Sequence, residues 1–137
     1  MRYLAIDLGQ KRTGLAVGSD VTRLATPVGM IESRDDKHRL EQLADAIAEH
    51  APDAIVLGLP LSADGSEGPA AKQMRRLAEQ MQQRFNLPVH LVDERLTSFS
   101  ADQRMNQTGL THGQKKARRD ALAAARILQD FLDQAQP

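Results

Sequence analysis

Three groups of acids in this sequence stand where an acid is costly. Asp7 closes the apolar run Tyr3-Leu4-Ala5-Ile6, which reads as a buried strand. Asp93 and Glu94 close a second such run, Val89 to Val92. Asp120 lies in a helical stretch, on the stripe of Ala124, Ile127 and Phe131. An unpaired buried carboxylate costs several kcal/mol, so each needs a partner or a cation. Taken singly, each has a simple structural use. Asp7 can cap its own turn, Asp93 and Glu94 can cap the next turn or pair with Arg95, and Asp120 can pair with Lys116 at i−4. Taken together they say more. Ligand sites in open α/β sheets form outside the carboxyl ends of strands, and two strand-end acids and one helical acid can converge there. Converging carboxylates repel unless a cation neutralises them. Hard oxygen donors suit Mg²⁺ or Mn²⁺. Two such ions about 3.5–4 Å apart serve phosphodiester hydrolysis. Adjacent strand residues face opposite ways, so only one of Asp93 and Glu94 is expected at the site.

The elements that must hold these acids follow from periodicity. Strands are expected from Tyr3 to Leu8, from Leu15 to Gly18 after a glycine-bracketed turn, and from Ala25 to Glu32 with Pro27 at a start or an edge. A helix is expected after Ser33, with Ser33 and Asp36 as a capping pair. Leu40, Leu43, Ala44, Ile47 and Ala48 give it one apolar face, and Pro52 stops it. Ala54 to Leu59 is a continuous apolar run, as in a strand covered on both faces. A loop over 60–68 leads to a helix opened by Pro69, whose face is Met74, Leu77, Ala78, Met81 and Phe85. After the strand at Val89 come a short helix over 99–107, a polar loop over 108–113 and a last helix over 114–135. Three closely spaced strands followed by strands alternating with helices predict an antiparallel meander extended by parallel strands. His90, alternating with apolar neighbours, is expected in the core or beneath a helix.

Composition narrows the function. The chain has 137 residues, enough for one domain over 1–137. It has no cysteine, which excludes disulfides, thiolate zinc sites and a thiol nucleophile. Its four histidines are scattered. No apolar run reaches the length of a membrane span or a signal peptide, so the expectation is a cytoplasmic protein without a membrane partner. Aromatics are 3% of residues, too few for a reader built on base stacking.

The motifs around the acids resemble those of the YqgF/RuvX family. Asp7-Leu8-Gly9-Gln10-Lys11-Arg12-Thr13-Gly14 is similar to its opening motif. Gly58-Leu59-Pro60-Leu61 with Asp64-Gly65-Ser66-Glu67-Gly68-Pro69 is similar to its second block. Asp93-Glu94-Arg95-Leu96-Thr97-Ser98 resembles its third, and Lys116 and Asp120 before an alanine-rich helix resemble its fourth. The match runs in order along the whole chain. The resemblance implies an α/β, RNase H-like fold, with a five-stranded mixed sheet of three antiparallel and two parallel strands flanked by helices. It implies a metal-dependent nuclease of pre-16S rRNA 5′-end processing, or a resolvase of branched DNA, using Mg²⁺ or Mn²⁺. The acids it points to are Asp7, Glu94 and Asp120, with Asp93 as a further candidate ligand.

Basic and hydroxyl residues surround those acids. Lys11 and Arg12 follow Asp7, Arg95 follows Glu94, and Lys115, Lys116, Arg118 and Arg119 precede Asp120. Such side chains bind phosphate. Arg118 and Arg119 are about 100° apart on a helix, so both cannot face one substrate, and Arg119 is the candidate kept. Thr97 and Ser98 are expected to cap a helix whose amides can meet a phosphate. Lysine plus arginine and aspartate plus glutamate both total 18, yet seven bases against two acids fall between Arg95 and Arg126. Neutrality is a sum of opposed regions, and it leaves room for a nucleic-acid partner. A binding or assembly factor that keeps the acids without turnover is the competing reading. An ATPase of the actin type is disfavoured, because such enzymes enclose nucleotide between two domains. The chain is expected to act as a monomer or, as a junction resolvase, a homodimer.

Overall fold

The computed structural model describes residues 1–9, 11–59, 68–93 and 112–134, with the side chains of Leu59 and residues 112–116 left aside. Five strands form one sheet: β1 (Arg2–Leu8), β2 (Arg12–Ser19), β3 (Ala25–Glu32), β4 (Ala54–Leu59) and β5 (Val89–Asp93). Among the described residues three helices flank it: α1 (Asp36–His50), α2 (Pro69–Phe85) and α3 (His112–Gln134). The strand order is β3-β2-β1-β4-β5. β1, β2 and β3 pair antiparallel, while β4 lies parallel to β1 and β5 parallel to β4. The mixed sheet expected from the sequence is therefore present. The expected loop over 60–68, up to Gly68, and the helix over 99–107 fall outside the described residues.

β1 is central because both of its faces are apolar. Leu4, Ile6 and Leu8 enter one core with Leu43 of α1 and Met74, Leu77 and Met81 of α2. Tyr3 and Ala5 face the other way, into a second core with Val56, Val92 and Ala124, Ile127 and Leu128 of α3. The sheet thus sits between α1 and α2 on one side and α3 on the other. By the same alternation Asp7 belongs to the α3 face, with Tyr3 and Ala5.

Several boundaries differ from expectation for physical reasons. β2 begins at Arg12 rather than Leu15, because the turn is short: the Gly9 N–H donates to the Arg12 carbonyl at 2.8 Å, and pairing resumes at Leu8 and Thr13. The α1 cap is Asp35, whose carboxylate accepts from the His38 N–H at 2.7 Å. Ser33 is instead buried, and its hydroxyl bonds to the Gln42 side chain. Pro27 lies on β3, an edge strand, beside an irregularity where Ala16 faces Pro27 and Leu15 faces Gly29. Pro69 does open α2, and Asn86 ends it in the left-handed region. His90 is exposed on edge strand β5 rather than in the core, with its ring 5.1 Å from that of Phe131 of α3, the contact with a helix that the sequence also allowed.

Candidate active site

The carboxyl ends of β1 and β3 and the start of β2 lie side by side, because the meander folds them against one another. Asp7 faces Gly14 across β1 and β2, and Arg12 faces Glu32 across β2 and β3. Arg12, Gly14 and Ala16 alternate onto the α3 face, so Asp7, Arg12 and Glu32 share it. α3 crosses that face, and the position it brings down on Gly14 is Asp120: a β-carbon at Gly14 would overlap the Asp120 carbonyl oxygen. With no side chain at Gly14, the helix backbone comes close enough for its carboxylate to reach the sheet.

The result is a polar, open cleft of about 400 Å³ lined by Asp7, Gly9, Lys11, Arg12, Glu32 and Asp120. Inside it the Arg12 Nε donates to Asp120 Oδ2 at 3.0 Å, a pair formed between residues 108 apart in sequence. Asp7 is half-buried, Glu32 and Lys11 are exposed. The donors present are carboxylate oxygens. That set fits Mg²⁺ or Mn²⁺, which take one or two protein carboxylates and keep several waters. Among the described residues no cluster of three or more Asp, Glu, His or Cys side chains is close enough to hold an ion.

Of the residues singled out in the sequence, the structure brings Asp7, Asp120, Lys11 and Arg12 to one cleft. Arg119 is half-buried and Arg118 exposed. Lys115 and Lys116 lie in the first turns of α3, with side chains outside the description. Glu94, Arg95, Thr97 and Ser98 lie outside the described residues. Asp93 ends β5, opposite Leu59 of β4. Val89 and Leu91 pack against the α1/α2 core, whereas Val92 enters the α3 core. Alternation therefore sets Asp93 on the α1/α2 face, away from that of Asp7.

Two features of the cleft escape a reading of the sequence. Glu32 was visible only as a strand-end acid, and its place in the cleft depends on the β2–β3 register. Asp120 also pairs with Arg12 of the sheet, a contact between distant segments; the intrahelical use of Asp120 with Lys116 involves a side chain outside the described residues.

Comparison with known proteins gives a consistent pattern. A family model described as RuvX, Holliday junction resolvase, matches residues 1–134. A protein of Anaeromyxobacter sp. (strain Fw109-5), named "Putative pre-16S rRNA nuclease", is 42% identical over 133 residues, covering 97% of each chain. One of the same name from Thiobacillus denitrificans is 44% identical over 131 residues, 95% of this chain and 90% of that one. Among solved structures, the Fowlpox virus resolvase in complex with Holliday junction DNA superposes with a TM-score of 0.64 at 12% identity, over 100% of both chains. Thermus thermophilus RuvC with a Holliday junction substrate gives 0.55 at 14% identity, over 93% of this chain and 92% of that one. These last two are likenesses of fold.

Proposed function

Because the chain belongs to the RuvX (Holliday junction resolvase) family, we propose that it is a metal-dependent nuclease that hydrolyses phosphodiester bonds in 5′-end processing of pre-16S rRNA. The observation that carries this reading is the cleft in which Asp7 from β1 and Asp120 from α3 meet beside Lys11 and Arg12. Two carboxylates and two cationic side chains lining one cleft suit a phosphodiester whose charge must be held while its phosphorus is attacked. The pre-16S rRNA substrate is supported by the names of relatives that match nearly the full length of the chain.

In this mechanism Asp7 and Asp120 hold Mg²⁺ or Mn²⁺, and Glu94 completes the set. The inclusion of Glu94 is supported by the family motif and by β5, whose alternation sets Asp93 on the other face. Such ions supply activation of the attacking water and stabilisation of the leaving oxygen. The chain's own side chains do the rest. Lys11, exposed at the rim, draws the substrate backbone toward the cleft, aided by Lys115, Lys116 and Arg119 of α3 and by Arg95, Thr97 and Ser98. The 3′-oxygen leaves and the product carries a 5′-phosphate.

The test is cleavage by the purified protein of precursor 16S rRNA, single-stranded RNA and a four-way DNA junction, with Mg²⁺ or Mn²⁺. Metal-dependent cutting of the precursor, lost in Asp7→Asn and Asp120→Asn, supports the proposal. Preferential cutting of the junction would make the protein a DNA resolvase. Salt-sensitive binding without cleavage of any of the three would make it a binding factor.

A further inference from the structure

The Arg12–Asp120 pair poses a conflict that the proposed metal site must resolve. Asp120 is a ligand in that reading, yet one of its oxygens already accepts from Arg12 Nε at 3.0 Å. The pair is partly shielded from solvent, with side-chain exposures of 32% for Arg12 and 19% for Asp120. A guanidinium and a divalent ion on one small carboxylate repel each other strongly. Among the described residues, Arg12 is the cation paired with Asp120, in the cleft that Asp7 also lines. With a divalent ion bound, that pairing is no longer needed.

The backbone around Arg12 is held in place independently of its side chain. Its carbonyl is held by the Gly9 N–H at 2.8 Å, and its cross-strand partner is fixed as Glu32. Rotation about the side-chain bonds is enough to take the guanidinium off Asp120 and leave it in the same cleft, over which a substrate phosphate would lie. Glu32 lines that cleft too and offers a second anionic neighbour on the way.

Resting on the metal-site reading above, we infer that Arg12 is a resident counter-cation that the divalent metal displaces from Asp120, so that metal loading presents the guanidinium to the substrate phosphate. Arg12 is on this account a positioning residue before it is a binding one. It keeps Asp120 oriented in the metal-free protein and lowers the apparent metal affinity by the fraction of time it holds the carboxylate.

The experiment uses the full chain and two readouts that need no turnover. Calorimetry with Mn²⁺ compares wild type, Arg12→Gln, Arg12→Lys and Asp120→Asn. The arginine Nε–H resonances of ¹⁵N-labelled protein are followed during Mg²⁺ titration, with Arg12 assigned by its loss in Arg12→Gln. Removing the competing cation should tighten Mn²⁺ binding by about three- to tenfold. Arg12→Lys, which keeps the charge, should stay within about twofold of wild type. The Arg12 Nε–H signal should shift with Mg²⁺ in wild type and stay still in Asp120→Asn. Unchanged or weaker Mn²⁺ binding by a folded Arg12→Gln overturns the inference while leaving the metal site intact. So does an Arg12 signal that does not move as Mg²⁺ saturates the wild type. If Arg12→Gln does not fold, the wild-type titration decides, with Arg12 assigned through Arg12→Lys. Absence of Mn²⁺ binding by wild type, or undiminished binding by Asp120→Asn, removes the metal site as drawn and this inference with it.

Discussion

Gly14 of β2 lies directly under the backbone of Asp120, so that the sheet and α3 meet there with no side chain between them. The atom a β-carbon would strike is a backbone carbonyl oxygen, which cannot rotate away as a side chain can. Gly14→Ala must therefore lift α3 at the residue that carries the cleft's helical acid. Overpacking of this kind costs about 1–3 kcal/mol. A carboxylate misplaced by an ångström costs on the order of 10²-fold in rate. Urea unfolding should show the first loss and a cleavage assay the second. A variant with wild-type midpoint and rate would mean that α3 does not rest on Gly14.

The architecture was legible where a segment's own pattern decides its fate. The apolar runs of β1 and β4 announce strands covered on both faces, and the Met74–Leu77–Met81 stripe announces a helix packed on them. The start of β2 was not legible, because Arg12, Thr13 and Gly14 read as turn chemistry. They are strand only because Leu8 pairs with Thr13 across the tight turn. The candidate site was legible only as far as two of the acids that line the cleft. Asp7 stands out as a strand-end acid and Asp120 as an acid on an apolar stripe. The Arg12–Asp120 pair and the place of Glu32 depend on which strand lies beside which and on where α3 crosses, and no local pattern encodes either.

The cap of α1 illustrates a smaller local ambiguity and gives a direct measurement. Ser33, Asp35 and Asp36 are all residues that begin helices, and the structure assigns the cap to Asp35 through the His38 N–H. Asp35→Ala leaves that donor without its side-chain acceptor and should destabilise the fold by about 1 kcal/mol. Asp36→Glu, which keeps the first-turn charge and a carboxylate for the buried Arg39 guanidinium now 3.8 Å away, should cost less. Equal midpoint shifts in chemical denaturation would argue against Asp35 as the cap.

Asp130 of α3 links stability to pH. Burial raises its pKa above the ordinary carboxylate value, Arg126 opposes that shift, and Asp133 adds to it. The Arg126 Nε lies 3.6 Å from Asp130 Oδ1, with the base preceding the acid by one turn, the weaker order for such a pair. The folded form thus holds this proton more tightly than the unfolded chain. Stability from Asp130 is fully present below the unfolded pKa and is lost as pH rises through the folded one. Asp130→Asn should therefore be more stable than wild type at neutral pH, and the difference should vanish in acid, where both side chains are neutral. Thermal melts across that range check the sign; a variant less stable at neutral pH would mean that the Arg126 pair outweighs burial.

The two adjacent acids at the end of β5 separate the roles of the sheet's faces. Val92 enters the α3 core while Val89 and Leu91 pack toward α1 and α2, so Asp93 belongs to the face opposite Asp7. If Glu94 is a ligand with Asp7 and Asp120, amide substitution should sort the four acids by face. Asp7→Asn, Glu94→Gln and Asp120→Asn each remove a charge from the proposed metal site and should lower kcat by about 10²-fold or more. Asp93→Asn should leave kcat within a few-fold of wild type, and its effect should appear in stability instead. Metal titrations of activity sharpen the test, because loss of a ligand raises the Mn²⁺ concentration needed for half-maximal rate, whereas a fault in packing lowers the rate at every concentration. A severe, metal-reversible loss in Asp93→Asn with little loss in Glu94→Gln would exchange the two residues' roles and require β5 to turn its end toward α3.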